Sequence, residues 1–268
     1  MEKLDHIKAI AFDADDTLWA LQNYFEGVED EYCDLLADYG SKEEISAALF
    51  ETESGNMADL GYGVKAFIIS LVENAIKVSE GKASARLIGC IVEVGKSLLH
   101  VDAKPLEGVE KTLAKLRERR LSNNSDSSDA SEASDASEAS DASIASIASK
   151  EGASDRKYRL AVFTKGELMD QENKLWRSGL QRYFDVVSIV SNKTPEAYRH
   201  LCKELEVSPE QLVMVGNSFK SDIAPALKIG ASAIHIPFHT IWAHEKTEEF
   251  NHERLRRISH FEEILEIL

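Results

Sequence analysis

The chain has 268 residues, 43% hydrophobic and 29% charged, which allows one large domain or two smaller ones around a real core. Its formal charge of -16 excludes a general binder of nucleic-acid polymers, whose affinity comes from clustered Lys and Arg, and its apolar runs fall short of a membrane span. Cys33, Cys90 and Cys202 stand far apart, with no CxxC and no histidine at ligand spacing, so they predict reduced thiols rather than a disulfide framework or a zinc site.

In chain order, the start MEKLDHIK has no signal-like apolar region, and a cytoplasmic protein is expected. IKAIAF, residues 7–12, predicts a buried strand that ends abruptly in Asp13, Asp15 and Asp16. Three carboxylates within four positions repel one another and are costly to desolvate, so this strand end requires a positive partner. A bound divalent cation is one that would make the cluster tolerable.

Residues 20–100 then read as helix after helix, including SKEEISAALFETE, where Ser41 and Glu44 form a capping-box pattern. They predict a separate helical cap inserted after the first strand, with 1–19 and 101–268 forming the other domain. EGVEKTLAKLRERR, 107–120, predicts a helix of that second domain. The stretch 122–156 follows, a Ser-Ala-acid tract with a three-residue rhythm that matches neither strand nor helix period. It cannot build a core, and a disordered low-complexity insertion is expected. Residues 122–155 carry seven of the sixteen net negative charges, so the rest of the chain is only moderately acidic.

Beyond the tract, RLAVF (159–163), VVSIV (186–190), LVMV (212–215) and SAIHI (232–236) predict four more strands separated by amphipathic segments. PEAYRHLCKELE and DIAPALKIG predict helices, the second ending at Gly230 as a C-cap, and FEEILEIL predicts a terminal docking helix. Such alternation points to an α/β fold with a Rossmann-like, mostly parallel sheet covered by helices.

Ligands of open parallel sheets bind beyond the carboxyl ends of the strands. There the sequence puts Asp13, Asp15 and Asp16 after the first strand, Thr164 and Lys165 after the second, Lys193 after the third, and Gly216, Asn217, Ser218 and Asp222 after the fourth. A nucleophilic carboxylate, a second carboxyl to shuttle protons, a cation and hydroxyl donors are the groups that phosphoryl transfer through an aspartyl phosphate requires.

FDADDTLW, VFTKGE, SNKTPEAY and VGNSFKSD, in this order, resemble the four motifs of the haloacid-dehalogenase-like hydrolase superfamily, and the likeness covers essentially the whole chain outside the tract. The resemblance implies that Asp13 is the nucleophile and Asp15 the acid/base. It implies that Thr164, Lys165 and Lys193 bind the phosphoryl group and that Mg2+ is held by Asp13, the Asp15 carbonyl, Asp222 and Asn217. Two departures stand out: Asn217 occupies a position that is often aspartate, and Thr194 separates Lys193 from Pro195. Because dehalogenase members typically lack an acid two residues after the nucleophile, Asp15 favours a phosphatase acting on a small phosphorylated metabolite. A nucleotide, flavin mononucleotide or sugar phosphate would suit.

Alternatives are a phosphomutase and a catalytically silent interaction protein; a receiver domain would be much shorter and lack the helical insertion. Asp16 is expected to cap the turn or the next helix and Thr17 to brace the loop, and Ser218 and Ser221 to be turn formers. The spacing of His239, His244, His252 and His260 fits solvated or loop histidines better than metal ligands. Trp19 and Tyr62 are candidates for lining a substrate pocket, whereas Phe25 is expected in packing. The sequence leaves the oligomeric state open.

Overall fold

The computed structural model describes residues 4–119, 157–240 and 242–268, so the expectations for the tract 122–156 lie outside the described residues. The first strand, β1 (Ala9–Phe12), is followed by four helices, α1 (Gln22–Leu35), α2 (Lys42–Leu60), α3 (Val64–Val78) and α4 (Ala85–Ser97), and then by α5 (Val109–Glu118). Strands and helices alternate from there: β2 (Arg159–Lys165), α6 (Leu168–Ser178), β3 (Val186–Val190), α7 (Pro195–Glu204) and β4 (Leu212–Gly216). A π-helical turn, Phe219–Ile223, leads into α8 (Ala224–Lys228), then β5 (Ser232–His235), β6 (Leu255–Arg257) and α9 (Ile264–Ile267).

The sheet is parallel throughout, in the order β3-β2-β1-β4-β5-β6. β1 lies between β2 and β4, with Phe12 paired to Val162 on one side and Val215 on the other. Every residue of β1 is fully buried, as expected of a strand covered on both faces. The period of two divides its side chains cleanly. Ile10 and Phe12 join Leu160, Val162, Val213 and Val215 in one cluster, while Ala9 and Ala11 join Ala161, Phe163, Leu212 and Met214 in another. This is the Rossmann-like α/β core that the strand pattern predicts.

Three elements differ from expectation. β6 was not foreseen, because Leu255–Arg257 has three residues and a single buried one. DIAPALKIG is not one helix: a π turn occupies Phe219–Ile223 before the short α8, whose early Pro225 has no N–H to give. The terminal segment is a 3-10 turn plus the four-residue α9, and its Phe261 ring stacks on Phe12 at 5.7 Å. It docks as expected, with the Tyr158 hydroxyl donating to the Leu268 carbonyl at 2.7 Å.

The four helices after β1 have their own apolar cluster, built on Tyr32, Leu36, Ile45, Leu49, Phe67, Leu71 and Ile91. Gly95 lets α4 approach α3 closely, since a Cβ there would stand 2.7 Å from Ile68 Cγ1. The Ser41–Glu44 capping box opens α2 as predicted. Among the described residues no helix is long and apolar enough to cross a membrane.

Candidate active site

The chain reaches the site by extending the β1 ladder one residue: the Asp13 N–H donates to the Val215 carbonyl at 2.9 Å, which fixes the Asp13 side chain at the sheet's carboxyl edge. Three residues later the backbone turns sharply. Asp16 has a φ of +60°, which aspartate tolerates better than most residues, and its Oδ1 accepts from the N–H groups of Leu21 (2.7 Å) and Gln22 (3.0 Å). It therefore caps the entry to α1, as its position predicted. Thr17 holds the loop from below, its hydroxyl 3.3 Å from Asp13 Oδ2 and 3.4 Å from Asn217 Oδ1.

Lys193 comes from the turn after β3. Thr194, the residue that interrupts the expected Lys-Pro pair, is the N-cap of α7, accepting from the Ala197 N–H at 3.2 Å, and Pro195 starts the helix. Lys193 therefore precedes a well-formed helix start and is 1% exposed at its side chain. Its Nζ bonds Asp13 Oδ1 and lies 2.6 Å from Asp222 Oδ1.

Asp222 returns to the strand end through the π turn. Ser218 caps that turn, accepting from the Ser221 N–H at 3.0 Å, and the Ser218 N–H donates to Asp222 Oδ2 at 2.9 Å. Gly216 is required here because a Cβ on it would fall on the Asp222 carboxylate. The two serines are turn formers, as expected, and also donate to Glu245 Oε2, Ser221 at 2.7 Å.

Burial pushes the Asp13 carboxyl up to about 7 against the pull of the Lys193 ammonium, with Asp222 and Asp15 adding repulsion. Burial disfavours the Lys193 ammonium too, but Asp13 and Asp222 outweigh it and hold Lys193 above its ordinary value.

Asp15 faces a different set of partners. Its Oδ1 accepts from the Trp19 indole (2.8 Å) and Lys174 (2.8 Å), and its Oδ2 from Gln171 (2.7 Å) and Lys174 (2.9 Å). Trp19 is fully buried, so it braces Asp15 and does not line the pocket. Tyr62 and Phe25 do line the pocket, and Phe25 also packs on Phe67 at 5.0 Å.

Thr164, at the end of β2, is 2% exposed and lines the same cavity. Lys165 beside it is bound to Glu245, stands 3.0 Å from Ser221 Oγ and sits 4.0 Å above the Tyr62 ring. Burial raises the Glu245 carboxyl, but Lys165 and the two serines outweigh it and hold Glu245 below the usual range. Glu245, Lys174 and Gln171 escaped sequence reasoning. The spacing Asp170-Gln171-Lys174 on the helix after the second strand was the available signal; Glu245, in a loop after β5, offered none.

The resulting cavity, about 160 Å³, has Asp13, Asp15, Thr164, Lys165, Lys193, Asn217 and Asp222 in its wall on the sheet side, with Met57, Tyr62 and Phe67 on the helical side. Among the described residues no three His, Cys, Asp or Glu side chains gather as a metal-binding group. The available donors are nevertheless hard oxygens. Among the described residues Asp13 Oδ2 carries only the long Thr17 contact, and Asn217 Oδ1 shares that hydroxyl. This donor chemistry fits Mg2+, which keeps several waters and needs few protein ligands. Among the described residues no histidine lines the cavity: His239 bonds Asn23 at 2.8 Å, whereas the His244 side chain, far from solvated, is 9% exposed and stacks on Phe50 at 4.4 Å.

Comparison with known proteins places the chain beside hydrolases of one family. The sequence profile of haloacid dehalogenase-like hydrolases matches residues 151–236. Mouse N-acylneuraminate-9-phosphatase is 30% identical over 92 residues, covering 32% of this chain and 35% of that protein. Glyceraldehyde 3-phosphate phosphatase of Methanothermobacter thermautotrophicus is 37% identical over 82 residues, 29% of this chain and 36% of that one. The match thus spans about a third of these curated relatives. A haloacid dehalogenase-like family hydrolase from Xanthomonas campestris superposes with a TM-score of 0.73 at 28% identity, covering 95% of this chain and 87% of the other. In the profile match over 151–236 and in its fold, the chain is similar to haloacid-dehalogenase-like hydrolases.

Proposed function

We propose that the protein is a haloacid-dehalogenase-like phosphatase that removes phosphate from a small phosphomonoester through an aspartyl phosphate on Asp13. The observation that carries the reading is the buried Lys193 ammonium shared by Asp13 and Asp222 at the strand ends, with Asp15 lining the same cavity. Asp13 attacks phosphorus, the bond to the leaving oxygen breaks, and Asp15 supplies the proton that oxygen needs. Water then attacks the phosphorus, gives its proton to Asp15, and releases inorganic phosphate and free Asp13. Lys193 offsets the negative charge on nucleophile and phosphoryl group, and Thr164 offers a hydroxyl donor. Lys165 joins the phosphate only by yielding part of its contact with Glu245.

Asp13, Asp222, Asn217 and the Asp15 carbonyl would hold Mg2+, which when bound supplies positive charge to the transferring phosphoryl oxygens. The names of the phosphatase relatives favour a small sugar-like phosphate among the nucleotide, flavin and sugar phosphates considered. The reading is tested by assaying a phosphomonoester panel with and without Mg2+, alongside Asp13→Asn. Magnesium-dependent phosphate release lost in the folded variant supports it; undiminished release by Asp13→Asn refutes it.

A further inference from the structure

We infer that Lys174, together with Gln171, is the positioning group for the Asp15 carboxyl. The Lys174 side chain is 1% exposed on α6, and a buried ammonium persists only where anions and acceptors compensate its lost hydration. It has two such partners. Asp170, one helical turn back, lies at 3.2 Å, whereas both oxygens of Asp15, from a loop 159 residues away in sequence, lie nearer at 2.8 and 2.9 Å. The ammonium is thus aimed off its own helix and into the cavity wall.

With Trp19 and Gln171 added, four donor contacts occupy the acceptor positions of one carboxylate, and its plane cannot turn without breaking some of them. When Asp15 holds a proton one contact opens. Gln171 is placed to yield, because its Nε2 keeps the Lys165 carbonyl at 3.1 Å. Its buried Oε1, which has no partner among the described residues, is an acceptor in reserve. Displacing a catalytic group by about an ångström costs on the order of a hundredfold in rate, so orientation on this scale matters.

The contact itself stands apart from the proposed phosphatase activity; its consequence for rate rests on that reading. The experiment therefore has two readouts. The Trp19 indole N–H, bonded to Asp15 Oδ1, reports the carboxyl's place in an amide correlation spectrum, its peak assigned with Trp19→Phe. In Lys174→Met this peak should move, while in Asp170→Asn it should stay, since Asp15 is the nearer partner. In kinetics, Lys174→Met should lower kcat about tenfold or more on an alkyl phosphate with KM within about twofold. It should lower kcat less on p-nitrophenyl phosphate, whose leaving group needs no proton.

A Trp19 peak unmoved in Lys174→Met overturns the inference, as does a peak that moves in Asp170→Asn as far as in Lys174→Met. Should Lys174→Met not fold, the Asp170→Asn/Lys174→Met double variant, with one fewer buried carboxylate to leave unpaired, is read by the same criterion. If wild-type protein turns over neither ester, the phosphatase reading fails and the peak alone decides the positioning role.

Discussion

Lys193 Nζ lies 2.6 Å from Asp222 Oδ1, and both side chains are 1% exposed. Asp13 shares the same ammonium, so one cation offsets part of the charge of two carboxylates brought together from the end of β1 and the turn after β4. Removing one member of such a buried set leaves charge without compensation. Lys193→Met is therefore expected to abolish turnover and to destabilise the fold by about 3–5 kcal/mol, measured by urea unfolding. A variant as stable as wild type would show that the two carboxylates do not depend on this ammonium.

Gly216 gives a second, purely steric test. Because a Cβ at this position would occupy the place of the Asp222 carboxylate, Gly216→Ala must push Asp222 away or bend the strand end. The expected cost is about 1–3 kcal/mol, with phosphatase activity falling more than stability does.

Metal binding should be visible without any substrate. A ligand that binds only the folded state raises stability by mass action, about 2.7 kcal/mol at a hundredfold excess over Kd. Wild-type Tm is expected to rise with Mg2+ concentration, and the rise should vanish in Asp222→Asn. Equal rises in both proteins would remove Asp222 from the metal site.

The fourth prediction concerns Glu53, which reaches the cavity from α2. Burial, with Glu29 adding repulsion, pushes its carboxyl up to about 7; the nearest cation candidate, His244 Nε2, is 3.9 Å away. A carboxyl whose folded pKa lies above its unfolded 4.5 contributes stability that is complete below about pH 4.5 and lost as pH rises through 7. Gln mimics the neutral form at every pH. Glu53→Gln should match wild type near pH 4.5 and exceed it by on the order of 2–3 kcal/mol at pH 8, read from unfolding midpoints. A stability difference independent of pH would contradict the shift.

These tests draw on residues that differ in how far the sequence alone reveals them. Asp13, Thr164, Lys193 and Asp222 are legible because each follows an apolar β-branched run, and a parallel sheet gathers its strand ends on one edge. The five strands of those runs are legible for the same reason. β6 is not, since three residues with two arginines carry no alternation. Lys174, Gln171 and Glu245 are hidden for a different reason: each acts through a partner that only the folded chain brings near, and the one local trace is the Asp170-Gln171-Lys174 spacing on α6. Trp19 shows the converse error. An aromatic beside the Asp13–Asp16 loop reads as a pocket wall, but its indole N–H serves Asp15 and its ring is buried in the core.

The phosphoryl group's attachment point is the claim on which the mechanism turns. Quenching the enzyme during turnover in Mg2+ and reducing it with borohydride converts an aspartyl phosphate to homoserine, which peptide mass spectrometry locates. Homoserine at position 13 is the predicted result; homoserine at another aspartate, or at none while phosphate is being released, would contradict it.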